Sequence, residues 1–294
     1  MQYHVDGALV DADAATVSVD SRVATAGDAV TEPVRAYAGT PFAWDAHAER
    51  LFGACDALGI DPGVDAATLH TRVEATLTAN DLDEALVRVS ILREGREADP
   101  PLLAGRLRPP ADADPTVVVT VTPLSDVTTD DAVTLQTVRT RAIPPASVPA
   151  ASVTHNRLDA VCAQAELRRA APPDGDPAAE ALLLDAEGQV VGGTASDPIF
   201  VDDEAVRMPA LGDRTARTAT RSVVRDIAAA ESFPIVEDAY TPADLRDAAE
   251  AFLAEPTAGI RPVDRIDGID VGGGPVTDLL ARLFEERVTT ACRG

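Results

Sequence analysis

The chain has 294 residues and a formal net charge of −24, from 49 acidic and 25 basic residues; every basic residue is arginine, and there is no lysine. So large an acidic excess argues against nucleic acid and anionic membrane surfaces as partners, because phosphate binding needs clustered basic side chains. The excess is read as adaptation to a salt-rich cytoplasm, where screening tolerates massed surface carboxylates. Hydrophobic residues reach 46% and aromatics only 3%, so the expected core is built from Ala, Val, Leu and Ile.

In chain order, "YHVDGALVDADAATVSVD" offers two alternating runs around Asp6-Gly7, the pattern of a hairpin, before an acidic turn at Asp11–Asp13. "VTEPVRAYAGTPFAW" adds a second strand pair hinged on Gly39. Asp45 is then the expected N-cap of a helix carrying Leu51, Cys55 and Leu58 and ending at Gly59. A second helix is expected over 65–78, followed by strands in "EALVRVSIL" and "TVVVTVTPL". The Pro-, Gly- and charge-rich "EGREADPPLLAGRLRPPADADP" between those strands reads as loop.

Composition turns polar at "SDVTTDDA", which places a domain boundary near 127 and gives domains 1–126 and 127–294. Beyond it a strand is expected in "VTLQTV" and a helix over 154–170 with Leu158, Val161, Cys162 and Ala165 on its inner face. Strands "EALLLD", "GQVV" and "PIFVDD" follow, then a helix after Thr220 with Val223, Val224 and Ile227 inward. A last helix over 277–288 carries Leu279, Leu280, Leu283 and Phe284. The pattern is α+β in two units, with no regular βαβ alternation and no internal repeat.

Cys55, Cys162 and Cys292 are odd in number and far apart, which suits a reducing interior better than a disulfide framework. The N-terminus has neither a basic n-region nor an apolar h-region, and no apolar run approaches a membrane span, so a soluble cytoplasmic protein is expected. His4, His47, His70 and His155 are scattered, and no metal site is expected. "VGGGPV" at 271–276 lacks the spacing of a dinucleotide-binding loop and reads as a tight turn, whereas "GGTAS" at 192–196 is either a phosphate-cradling loop or a hairpin connection. Arg50 is either a solvated or salt-bridged helix side chain or an anion ligand; Thr220, opening a helix, is either an ordinary cap or an anion contact.

In order and spacing, "HVDGALVDADAATVSVDSR", "GDAVTEPVRAYAGTPFAWDAHAERL", "VRVSILREG", "THNRL", "EALLLDAEGQVVGGTASDPIFV", "TATRSVV" and "AFLAEPTAGIRPV" together resemble the class IV aminotransferases. This is the fold-type IV pyridoxal-phosphate (PLP) family of branched-chain and D-amino-acid aminotransferases and aminodeoxychorismate lyase. The resemblance implies a small N-terminal α+β domain and a larger C-terminal β-barrel-like domain with surrounding helices. It also implies PLP as cofactor between them and a homodimer, or a heterodimer with an active paralogue.

Carried over residue by residue, the family's phosphate-anchoring arginine matches Arg50 in "HAERL" and its phosphate-binding threonine matches Thr220 in "TATRS". The reactive positions differ. The family's Schiff-base lysine falls at Val153, the following tyrosine at Arg157, and the glutamate facing the pyridinium nitrogen at Gly192, with Asp197 in place of an asparagine. A second phosphate-loop hydroxyl falls at Pro256, with Thr257 as the neighbouring substitute, and Ala24 and Ala26 replace an aromatic pair. The resemblance therefore implies a catalytically degenerate member, without covalent PLP attachment, that keeps an anion-binding or partner-binding role. The competing expectation is a PLP-dependent aminotransferase or aminodeoxychorismate lyase, in amino-acid or p-aminobenzoate metabolism, with an altered mechanism or a non-covalently held cofactor.

Overall fold

A computed structural model of the chain describes residues 1–93, 107–110, 114–124, 132–149, 153–173, 175–212 and 218–294. The chain divides into two compact units, the first comprising Met1–Ser125 with Val153–Asn156 and Arg293, the second Asp126–Ser152 with Arg157–Cys292 and Gly294. A single cut near 127 does not anticipate the return of 153–156 to the first unit.

The first unit is built on a six-stranded sheet. Its members are β1 (Gln2–Val5), β2 (Ala8–Asp11), β3 (Ala29–Tyr37), β4 (Thr40–Pro41), β5 (Ala85–Arg93) and β6 (Pro115–Pro123), in the order β2-β1-β6-β5-β3-β4. Asp6 and Gly7 both adopt positive φ, 46° and 94°, the mirror-image turn that joins twisted antiparallel strands without splaying them. Among the described residues, the helices α1 (Arg22–Ala26), α2 (Trp44–Leu58) and α3 (Ala66–Ala79) accompany the sheet. α2 starts one residue before Asp45: Ala43, at φ 51°, is its N-cap, and Asp45 lies in the first turn, where a carboxylate complements the positive end of the helix dipole. α2 ends at Gly59 with φ 60°, as the sequence suggests, and α3 is capped by Asp65, whose side chain accepts from the Thr68 amide.

The second unit holds a nine-stranded sheet. It runs β12-β11-β10-β13-β14-β7-β8-β9, with β15 paired to β14. The strands are β7 (Val133–Arg141), β8 (Glu180–Leu184), β9 (Val190–Gly192), β10 (Asp197–Val201), β11 (Val206–Pro209), β12 (Ile235–Asp238), β13 (Glu250–Glu255), β14 (Gly259–Ile266) and β15 (Ile269–Asp270). Pairing is mixed, with β7 parallel to both β8 and β14 and most other neighbours antiparallel. β8 is buried throughout and serves two cores: Leu182 and Leu184 pack with Phe200, Leu253 and Val263, while Ala181 and Leu183 pack with Val138, Ala163 and Leu167. That division follows from the alternation of side chains along a strand.

Among the described residues, the helices α4 (Leu158–Ala170), α5 (Thr220–Ala230), α6 (Pro242–Arg246) and α7 (Pro275–Cys292) flank this sheet. Two expectations for α4 are corrected. It begins at Leu158, four residues later than expected, because Thr154 bridges Val30 and the His155 amide donates to the Ala29 carbonyl, tying these two residues to β3. Its inner face is Asp159, Ala160, Ala163 and Leu167, while Leu158 and Val161 are 69% and 61% exposed and Cys162 is exposed as well. Small alanines let the helix approach the sheet closely, so the face with the larger apolar residues does not win. α5 buries Val223, Val224 and Ile227 as expected, and α7 buries Leu280, Phe284 and Val288.

The tight turn expected of "VGGGPV" is not found: residues 271–274 are irregular chain between β15 and α7, and the nearby turn lies at Asp267 and Gly268. A Cβ on Gly274 would come within 2.5 Å of the Glu250 carboxyl. That carboxylate accepts from the Val276 and Thr277 amides at 3.1 and 2.6 Å and so caps α7. No described helix is long and apolar enough to cross a membrane.

Candidate functional site

In the first unit, Arg50 is the salt-bridged helix side chain that its sequence setting allows. α2 sets it one turn from His47, and both reach the carboxylate of Glu32 on β3: His47 Nδ1 lies 2.7 Å and Arg50 Nε 3.0 Å from Glu32 Oε1. Glu32 is 1% exposed. Burial alone would push its carboxyl up, but the Arg50 charge and the hydrogen bonds from His47 and Arg50 outweigh it and leave the group below its usual range. The guanidinium is thus fixed by a buried acceptor and needs no ligand to hold its orientation.

The segment at 153–156 also belongs to this unit. Val153 is 1% exposed and apolar, and Asn156 donates from its amide to the Gly27 carbonyl at 3.1 Å. Gly27 has φ 66°, and a Cβ there would lie 2.8 Å from the Asn156 oxygen, so the position is closed to other residues on both counts. His155 Nε2 sits 3.2 Å from the Ser90 hydroxyl; burial, then the charge of Arg88, lowers its pKa and favours the neutral ring.

In the second unit the "GGTAS" stretch is not a hairpin connection: Gly192 ends β9, Asp197 opens β10, and these two strands are not partners. Between them the chain folds around Glu180. Its carboxylate receives six hydrogen bonds, from the Thr194, Ala195 and Ala181 amides, the Thr194 and Ser196 hydroxyls and the Gln164 side chain. A Cβ on Gly193 would come within 2.9 Å of that carboxyl. Arg157 donates to the Thr194 carbonyl, so the residue at the expected tyrosine position supports this same loop. Asp197 accepts from the Thr218 amide at 2.6 Å and from its hydroxyl at 2.9 Å.

Thr220, at the first turn of α5, donates from its hydroxyl to the Glu255 main-chain carbonyl at 3.3 Å, which brings it next to the turn carrying Pro256 and Thr257. The Glu255 carboxylate pairs with Arg261 at 3.3 Å, the two side chains being 16% and 25% exposed. Burial raises the Glu255 carboxyl above its usual range; Arg261 opposes the shift and the negative charge of Glu180 reinforces it.

Sequence reasoning named Arg50, Thr220, Thr257, Val153, Arg157 and Gly192 but missed Glu32, Glu180 and Glu255. Their signal in the sequence is a charged residue set inside or at the end of an otherwise apolar strand, as in "EALLLD" and "AFLAEP". Among the described residues no group of His, Cys, Asp and Glu could hold a metal ion. Cys55 is buried, and desolvation pushes its thiol up to about 12, which makes it inert.

Residues 29–266 match the family model described as amino-transferase class IV. A protein of Methanocaldococcus jannaschii provisionally named a branched-chain-amino-acid aminotransferase is 29% identical over 286 residues, 97% of this chain and 95% of its own length. The branched-chain aminotransferase of Thermoproteus uzoniensis, solved with norvaline, superposes with a TM-score of 0.85 at 26% identity, over 97% of this chain and 94% of that one. The 4-amino-4-deoxychorismate lyase of Pseudomonas aeruginosa superposes with a TM-score of 0.79 at 26% identity, over 98% of both chains.

Proposed function

The chain belongs to the class IV aminotransferase family, and on that premise we propose that it keeps the family's fold without its transaminating chemistry. One observation carries this reading: no lysine exists anywhere in the chain, and the position matching the family's lysine holds Val153, apolar and 1% exposed. When bound, PLP supplies an electron sink, but only if it is held as an imine and a base moves a proton at the substrate carbon. Valine has neither an amine nor a titratable proton.

The residues around the other matched positions do not fit the cofactor either. Gly192 offers no carboxylate to a pyridinium nitrogen, Pro256 offers no hydroxyl or N–H to a phosphate, and Glu255 adds a negative charge beside it. Arg50, oriented by Glu32, supports a narrower retained property, an anion contact in the first unit. In this reading the protein is a pseudoenzyme whose acidic surface suits high salt.

The test is spectroscopic. Purified protein mixed with PLP is expected to show no absorbance band of a protein-bound imine, no adduct fixed by borohydride, and no half-reaction with alanine or glutamate. A half-reaction at ordinary enzymatic rates overturns the proposal in favour of a working aminotransferase or lyase of altered mechanism.

A further inference from the structure

We propose that Glu255 is the second unit's own resident anion, a carboxylate that keeps phosphate esters away from the start of α5. The inference rests on the reading above, in which Thr220 and the turn at 256–257 match the family's phosphate contacts, and it says what has replaced them.

Four observations converge on it. The Thr220 hydroxyl, the donor a phosphate would need, is spent on the Glu255 main-chain carbonyl at 3.3 Å. The next residue, Pro256, has no N–H, so the turn has lost a main-chain donor where a phosphate would want one. Among the described residues the Glu255 carboxylate pairs with one counter-charge, Arg261 at 3.3 Å. Glu180 adds negative potential at the same place, and the environment already disfavours one charge on Glu255. A dianionic phosphate would add to that repulsion rather than relieve it.

The rest of the unit uses the same device. The Thr194 and Ala195 amides are held by Glu180, the Thr218 amide by Asp197, and the Val276 and Thr277 amides by Glu250. Main-chain donors of the kind that bind anions at loops and helix starts are occupied by the chain's own carboxylates. Glu255 differs from the other three in that its carboxylate takes a guanidinium instead of amides. Its removal would therefore free the Arg261 guanidinium for another anion without stranding main-chain amides.

The experiment is calorimetric titration of the full chain with inorganic phosphate and with pyridoxamine 5′-phosphate, which carries the same phosphate and needs no lysine. Unphosphorylated pyridoxamine serves as the control. The unmodified chain is expected to bind neither phosphate compound at millimolar concentration. Glu255→Gln, which keeps the size of the side chain and an oxygen for Arg261, should bind both at least roughly tenfold more tightly and leave pyridoxamine unaffected. Glu255→Gly provides a second variant should the first fail to fold.

Sub-millimolar binding by the unmodified chain, or no gain in either variant, overturns the inference. Neither titration reports imine formation, so failure here leaves the loss of transamination standing, and an imine band would sink that reading without deciding this one.

Discussion

The two units treat their matched phosphate contacts in opposite ways. In the first, a buried carboxylate serves a cation: Glu32 holds Arg50 and His47 in place. In the second, carboxylates stand where an anion would: Glu180 fills the 193–196 connection, and Glu255 lies beside the start of α5. The difference teaches that survival of a motif residue is a poor guide to survival of its role. Arg50 persists with a structural partner that would select for it in any case, whereas Thr220 persists with its hydroxyl turned to its own chain.

The largest effect expected is from Glu180→Ala, which strands the Thr194 and Ala195 amides and the Ser196 hydroxyl and should cost about 4 kcal/mol in denaturant unfolding. Glu32→Ala leaves Arg50 without its buried acceptor and should cost about 3 kcal/mol. Equal tolerance of both changes would show that neither carboxylate is structural. Arg261→Ala leaves the mostly buried Glu255 carboxylate without that guanidinium and should cost about 2 kcal/mol. Arg139→Ala, whose side chain is 95% exposed opposite Glu166, should fall within about 0.5 kcal/mol of the parent.

Acid titration sharpens the contrast, because the two units' carboxylates shift in opposite directions. Glu32 has a folded pKa below its ordinary value, so its contribution is fully present above that ordinary value and is lost as pH falls through the lowered one. Glu255 has a raised folded pKa, so stability linked to its neutral form is present below the ordinary glutamate range and lost as pH rises through the raised value. At neutral pH Glu32→Gln should therefore destabilise, and Glu255→Gln should stabilise by less than about 1 kcal/mol. Urea midpoints followed below about pH 4 for Glu32 and above it, up to about pH 7, for Glu255 check both signs.

Much of the fold was legible because it is local. Asp6-Gly7, Gly39 and Gly59 mark turns that the chain makes with positive φ. Alternation in "EALVRVSIL" and "TVVVTVTP" yields β5 and β6, paired in register from Ala85 to Arg93. The start of α4 was not legible, since its delay comes from a long-range bridge between Thr154 and Val30. Nor was its buried face: in an alanine-rich helix several faces read as apolar, and closeness of packing decides among them.

At the candidate site the substitutions at Val153, Arg157 and Gly192 were visible in the sequence, but not what fills the space. The carboxylate at Glu180 gathers donors from Gln164 and from Thr194 to Ser196, a convergence that spacing along the chain cannot reveal.

The central claim, a class IV fold without PLP imine chemistry, is tested most directly by the absorbance spectrum of the purified, unmodified chain with PLP, read before and after addition of alanine. The account predicts the spectrum of free PLP, unchanged by the amino acid beyond a protein-free control. A new protein-dependent band that alanine discharges at enzymatic rates would contradict it.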